Sequence, residues 1–185
     1  MDSRKKEFES QHIWFGFNDL SLHALHWDRT NDCTIVFLHG AMANSVWWNH
    51  IAQAFPRGKI YALDLSGHGL SDWADGYTLE DHAQEVVALV EAYGQGDVYL
   101  VGHSYGGAVA MYASHYLPKS TVVMVDTPLH LVTDHHTPSN KSYRKHSYAS
   151  KEEAISHFKP IPNQPIQNKI LFDYIASQSI KETEN

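Results

Sequence analysis

Cysteine is nearly absent from this 185-residue chain: Cys33 stands alone, which excludes an internal disulfide and fits a reducing compartment. Its expected role is that of a small buried apolar side chain. Long hydrophobic runs are missing too, and none approaches the roughly 20 residues that span a bilayer. The start of the chain, with Asp2, Arg4, Lys5, Lys6 and Glu7, is polar and lacks the apolar segment of a secretory signal. A cytoplasmic protein without a membrane partner is therefore expected. Basic residues are scarce: 14 Lys and Arg against 21 Asp and Glu give a net charge of -7, leaving no broad basic surface for nucleic acid or anionic lipid. A small, uncharged or weakly polar ligand is the expected partner. Metal-site spacing is lacking as well. Despite 14 histidines, no tight H-x-x-x-H pair comes with a third ligand, so neither metal nor cofactor is expected, and His135 and His136 read as solvated. There is no internal repeat and no low-complexity tract.

What is present is a globular composition, 43% hydrophobic and 12% aromatic, at a length that buries one good core. Residues 11–27 alternate around Asn18 and Asp19, with Ile13, Phe15 and Phe17 before the turn and Leu20, Leu22, Leu25 and Trp27 after it; this predicts a hairpin. Residues 34–38 are continuously apolar, as in a parallel strand buried on both faces, and end at His39-Gly40. Asn44 or Ser45 is placed to cap a helix whose apolar stripe is Val46, Trp47, Ile51, Ala54 and Phe55. Another strand follows at 59–64, then a loop with Gly67 and Gly69. Thr78 and Asp81 have the spacing of a capping box before a helix that turns Ala83, Val86, Val87, Leu89 and Val90 inward, until Gly94 and Gly96 end it. Strands at 98–101 and 121–125 flank a helix that stops near Pro118. Such alternation with short connections predicts an α/β fold, a mostly parallel sheet with helices on both faces. Residues 129–150 are polar, carry His130, His135, His136 and His146, and read as a long loop. Two helices are expected at about 151–158 and 166–177, separated by Pro160, Pro162 and Pro165, the second with Ile166, Ile170, Leu171, Tyr174 and Ile175 on one side. The expected domains are a core at 1–128 and a helical segment at 129–185.

The most informative stretch is 98–107. An apolar strand breaks into Gly102-His103-Ser104-Tyr105-Gly106 and then into a helix that begins with Gly107 and Ala108. This is the G-x-S-x-G pattern of a nucleophile elbow, in which a strained residue between strand and helix lifts a serine hydroxyl above a parallel sheet. Small residues are needed on both sides because the two backbones nearly touch. A lone G-x-S-x-G also occurs by chance with its serine in a loop; the strand before it and the helix after it favour the elbow.

Three ordered motifs, His39-Gly40, Asp64 to Ser71 with Gly67, His68 and Gly69, and Gly102 to Gly107, make residues 11–128 resemble the α/β-hydrolase superfamily. The segment from 148 to 179 is similar to the start of the helical cap of such enzymes. The resemblance implies Ser104 as nucleophile and the backbone N–H groups of Ala41 and Tyr105 as an oxyanion hole, with His39, Gly40, Gly102, His103, Gly106 and Gly107 shaping the turns. Met42, Trp47 and Trp48 are pocket candidates, though aromatics at helical spacing also read as plain core. His39 and His68 have the chemistry of ligands or bases, and the resemblance implies that both shape turns instead. Asp126, at the end of the sixth strand, is the candidate acid or a purely structural residue.

The family order is serine, acid, histidine, with two further strands after the sixth. Here the last two strands are missing and no histidine takes the base position, so the chain is expected to be a truncated hydrolase with a partial helical cap. The strand at 122–125 would then be an open apolar edge, a route to self-association. The implied function is carboxylesterase-like hydrolysis of small esters or related acyl or carbon-carbon substrates through Ser104. The alternative is a non-catalytic relative that binds a ligand or another chain. A serine nucleophile, in place of aspartate, argues against epoxides and halides.

Overall fold

A computed structural model of the chain describes residues 10–128, 148–160 and 163–180. It divides into two units, Met1–Ser139 and Asn140–Asn185. The domain boundary expected at 128/129 adjoins residues outside the described set, as does the loop expected at 129–150 for all but its last three residues.

In the first unit six strands form one sheet: β1 (Gln11–Phe17), β2 (Leu20–Asp28), β3 (Cys33–Leu38), β4 (Lys59–Asp64), β5 (Asp97–His103) and β6 (Thr121–Val125), in the spatial order β1-β2-β4-β3-β5-β6. The N-terminal hairpin forms as its pattern predicts. Phe17 pairs with Leu20 across a two-residue turn, and Asn18 at φ 49° takes the left-handed conformation such a turn requires. β2 runs antiparallel to β1 and β4, whereas β3 pairs in parallel with both β4 and β5, and β5 with β6.

Alternation divides the core in two. Val36 and Leu38 of β3, Tyr61 and Leu63 of β4, and Leu100 of β5 face α2 (Leu79–Tyr93) and α3 (Tyr105–Tyr116), whose Ala83, Val86, Leu89, Val109, Ala110 and Ala113 complete that layer. Ile35 and Phe37, Ile60 and Ala62, with Leu25 and Trp27 of β2, face the other way onto Trp48 and Ala52. Every residue of β3 is buried, which explains why its sequence is continuously apolar where a half-buried strand would alternate. Cys33 lies buried at its first position. α2 starts at a full capping box: Thr78 Oγ1 accepts from the Asp81 N–H at 3.0 Å, and the Asp81 carboxylate accepts from the Thr78 N–H at 2.9 Å.

Two helices differ from their patterns. After Asn44, whose side chain accepts from the Val46 N–H, the chain makes a 3-10 turn (Ser45–Trp48) and only then α1 (Asn49–Ala52). A turn with three residues per revolution rotates the following side chains away from α-helical register. Trp48, not Trp47, is therefore buried and stacks on Phe37 with ring centroids 4.7 Å apart, while Ile51 is exposed. In the second unit α4 (Lys151–His157) and α5 (Lys169–Ser179) form, α5 capped by the Asn168 side chain on the Leu171 N–H. This late start leaves Ile166 outside the helix and turns Ile170 out to 86% exposure; Ile175 and Ala176 are the buried positions, and Phe172 meets Phe158 at 5.5 Å. No helix among the described residues is long and apolar enough to cross a membrane.

Candidate active site

The parallel strands β3, β4 and β5 end side by side, so the segments that follow them converge. Ser104 lies between the last residue of β5 and the first of α3, at φ 51° and ψ -118°. That conformation costs a residue with a Cβ about 1–3 kcal/mol and persists only where its surroundings over-determine it. They do here. The Ser104 N–H donates to the Val125 carbonyl at 2.9 Å, prolonging the β5–β6 ladder, and the Gly107 N–H returns to the Ser104 carbonyl at 3.0 Å. A Cβ on Gly102 would sit 2.2 Å from the Gly106 carbonyl oxygen, and one on Gly106 would sit 2.4 Å from that of Leu38. Strand, turn and helix are thus packed backbone to backbone. At Gly107 the obstacle is the Thr127 side chain.

The segment after β3 leans on this turn. A Cβ on Gly40 would lie 3.4 Å from the Ser104 Cβ and 2.9 Å from His103 Nδ1, so only glycine lets the two segments approach so closely. Ala41 and Met42 are exposed beyond it, Met42 at φ 61°, and the Ala43 N–H closes the turn on the Gly40 carbonyl at 3.1 Å. Trp47 is half-buried. Tyr105 carries the first N–H of α3, at the positive end of that helix. Asp126 is exposed where β6 ends, at φ 49°. His146 lies outside the described residues, and His157 sits in α4, donating from Nδ1 to the Glu153 carbonyl at 2.9 Å.

Beneath these loops is a buried polar layer. His39 donates from Nδ1 to the Gly40 carbonyl at 2.8 Å and accepts at Nε2 from the Leu65 N–H at 3.2 Å. Burial, and then the neighbouring His68, push its pKa down to about 4, so it stays a neutral hydrogen-bonding hinge. His68 donates to the Ser66 carbonyl at 3.1 Å. Asp64, at the end of β4, accepts from His23 Nδ1 at 2.7 Å, the Ser45 N–H at 2.6 Å and the Leu70 N–H at 2.9 Å. Burial alone would raise its pKa; the hydrogen bond from His23, the proximity of His39 and the Leu70 and Ser45 N–H groups bring it below the ordinary carboxylate value. Gly69 passes so close that a Cβ there would overlap the Asp64 carboxyl.

Sequence reasoning assigned no part to His23, His82 or Glu85, all buried. Glu85 accepts from the Ser66 N–H at 3.0 Å, and burial pushes its pKa up to about 7. The signal was there: His82 and Glu85 sit three apart on the inward side of an amphipathic helix, where apolar side chains are the rule. Among the described residues no group of three or more His, Cys, Asp or Glu is arranged to hold a metal ion.

The chain is similar to several known proteins. A lipase of Mycobacterium tuberculosis, lipase LipV, is 33% identical over 57% of this chain and 41% of its own length. The 2-(acetamidomethylene)succinate hydrolase of Mesorhizobium japonicum is 31% identical over 54% of this chain and 37% of its own length. This chain thus spans less than half the length of either. A solved thioesterase domain from the curacin biosynthetic pathway, 16% identical, superposes over 95% of this chain and 70% of its own with a TM-score of 0.74, a likeness of fold. The family model for the alpha/beta hydrolase family matches residues 35–164, and the chain belongs to that family.

Proposed function

We propose that this protein is a serine-nucleophile hydrolase of small esters or related acyl or carbon-carbon substrates. The observation that carries the reading is Ser104 itself, a serine held at a strained φ between strand and helix by glycine packing and by the bond of its N–H to Val125. Structure that maintains about 1–3 kcal/mol of local strain at a serine is explained by presenting its hydroxyl. In the proposed reaction Ser104 Oγ attacks the substrate carbonyl, its proton passes to a base, and the N–H groups of Ala41 and Tyr105 bind the developing oxyanion. Collapse expels the leaving group, which takes that proton back from the base; water, deprotonated by the same base, then releases the acyl group, and the proton returns to Ser104 Oγ. No described histidine is assigned as the base. Relatives named as a lipase and as a hydrolase of an acylated amine support hydrolytic chemistry, and a serine at the elbow favours carbonyl substrates.

Incubation of the folded chain with a fluorophosphonate probe tests this. Label is expected on Ser104, and none on Ser104→Ala or on urea-unfolded protein. An unlabelled folded chain would refute the claim that this chain alone is an active hydrolase and favour the second reading, a non-catalytic protein that pairs through β6. That reading draws on the exposure of Val123, Met124 and Val125, each above 40%. Its expected mark is a concentration-dependent dimer in sedimentation that Val123→Lys abolishes.

A further inference from the structure

His82, on α2, is bonded to the residue that follows the elbow's serine. Its Nδ1 is 2.7 Å from the Tyr105 hydroxyl, and its Nε2 is 3.3 Å from the Ser66 carbonyl. A carbonyl only accepts, so the proton is on Nε2 and Nδ1 is a bare acceptor for the Tyr105 O–H. Burial, then His68, lower the pKa of His82 to about 4, which keeps this tautomer neutral. Tyr77 stacks on the ring at 5.4 Å and fixes its plane. Ser66 is itself held on three sides, its N–H on Glu85 and its carbonyl receiving both His68 and His82. The residue before it, Leu65, donates its N–H to His39, which in turn donates to the Gly40 carbonyl, next to Ala41.

The consecutive residues Leu65 and Ser66 are therefore tied through one histidine to the Gly40-Ala41 peptide and through another to Tyr105. The geometry points to His82 as a positioning residue that, acting through the Tyr105 hydroxyl, sets the spacing between the two backbone donors of the oxyanion hole. This rests on the reading of Ser104 as nucleophile, because only then do those two N–H groups share an anion. Tethering both to one rigid dipeptide fixes their separation before substrate arrives, the preorganisation on which such donors depend.

The test uses the 15N-labelled full chain and four variants: Tyr105→Phe, His82→Leu, His82→Asn and the Tyr105→Phe/His82→Leu pair. Tyr105→Phe removes one hydroxyl at constant shape and carries the test if His82→Leu fails to fold. Amide exchange at residues 104–107 is expected to quicken about five- to tenfold in Tyr105→Phe, the equivalent of one hydrogen bond, and equally in His82→Leu. The double variant is expected to match either single, since both break the same bond. His82→Asn keeps an acceptor for the Tyr105 hydroxyl but has no donor that reaches the Ser66 carbonyl, so exchange is expected to stay faster than in the wild type; a wild-type rate there would deny the Ser66 tether a part. Unchanged exchange in Tyr105→Phe, or additive effects in the pair, would overturn the inference. These readouts need no turnover. Where the fluorophosphonate labels Ser104, Tyr105→Phe is expected to slow labelling between about tenfold and a hundredfold, as for a misplaced donor. Equal labelling of wild type and Tyr105→Phe sinks the positioning role alone; an unlabelled wild type sinks the hydrolase reading and the oxyanion-hole role that rests on it, whatever exchange shows of the hydrogen bond.

Discussion

Glu85→Gln is the sharpest test of the buried layer, because its effect changes with pH in a way no surface charge reproduces. Glu85 is 1% exposed on the inner side of α2, and burial raises its pKa from 4.5 to about 7. The folded protein therefore holds a proton on this carboxyl up to about pH 7, while the unfolded chain has released it by about pH 5. Between those values the native state binds more protons, so stability falls as pH rises. At 1.36 kcal/mol per pH unit, the full rise corresponds to about 3 kcal/mol lost between pH 4 and pH 8. Glutamine keeps an oxygen for the Ser66 N–H and has no charge to bury. The variant should gain on wild type by about 2–3 kcal/mol in going from pH 5 to pH 8, a large share of a typical 5–15 kcal/mol stability. Urea unfolding of both proteins at the two pH values measures it, with all other titrating groups cancelling in the difference. An equal gap at pH 5 and pH 8 would refute the claim that Glu85 is carried protonated in the fold.

Asp64 should behave with the opposite sign. Its folded pKa is lowered, so its contribution is complete above the unfolded carboxylate value and is lost as pH falls through that value and below. Asp64→Ala strands the His23 ring and two backbone N–H groups, and should cost about 3–5 kcal/mol in urea unfolding at pH 7; a loss under about 1 kcal/mol would deny it a central place. Gly102→Ala puts a Cβ against the Gly106 carbonyl oxygen, backbone that cannot step aside. A loss of at least about 3 kcal/mol is expected from the urea midpoint, and a near-neutral result would mean the elbow is looser than its geometry.

The fold was legible because its elements carry strong, local patterns. The turn at Asn18 and Asp19, the apolar run that became β3, and the Thr78–Asp81 box each formed within a residue or two of their expected limits. The segment after Asn44 was misread because the sequence is equally apolar at Trp47 and Trp48, and only the 3-10 turn decides which of them meets Phe37. Ile170 was misassigned for a related reason: the helix phase depends on whether the cap falls at Asn168, and the run of apolar residues starts before it. At the site, the glycines and Ser104 were readable because a close backbone approach demands a residue type. The layer beneath was not. His23 meets Asp64 across 41 residues and His82 meets Tyr105 across 23, contacts that no local spacing encodes.

The division of labour in this layer follows from what each strand end can supply. β3 delivers Gly40 against the serine, β5 delivers the serine, and β6 delivers the carbonyl that holds the serine's N–H; all three act through backbone. β4 delivers no atom to the serine itself. Its end supplies Asp64, Leu65 and Ser66, whose partners are Ser45 and His39 on one side and His82 and Glu85 on the other. Backbone contacts through glycine set how closely segments approach, but they resist sliding only weakly, because a glycine surface has no side chain to lock. Directional hydrogen bonds to imidazole and carboxyl groups resist sliding and cost much to leave unmade when buried. A strained serine flanked by glycines thus calls for a polar brace one strand away, and it explains why five buried titratable side chains, His23, His39, Asp64, His82 and Glu85, surround a loop that touches no substrate atom in the proposed reaction.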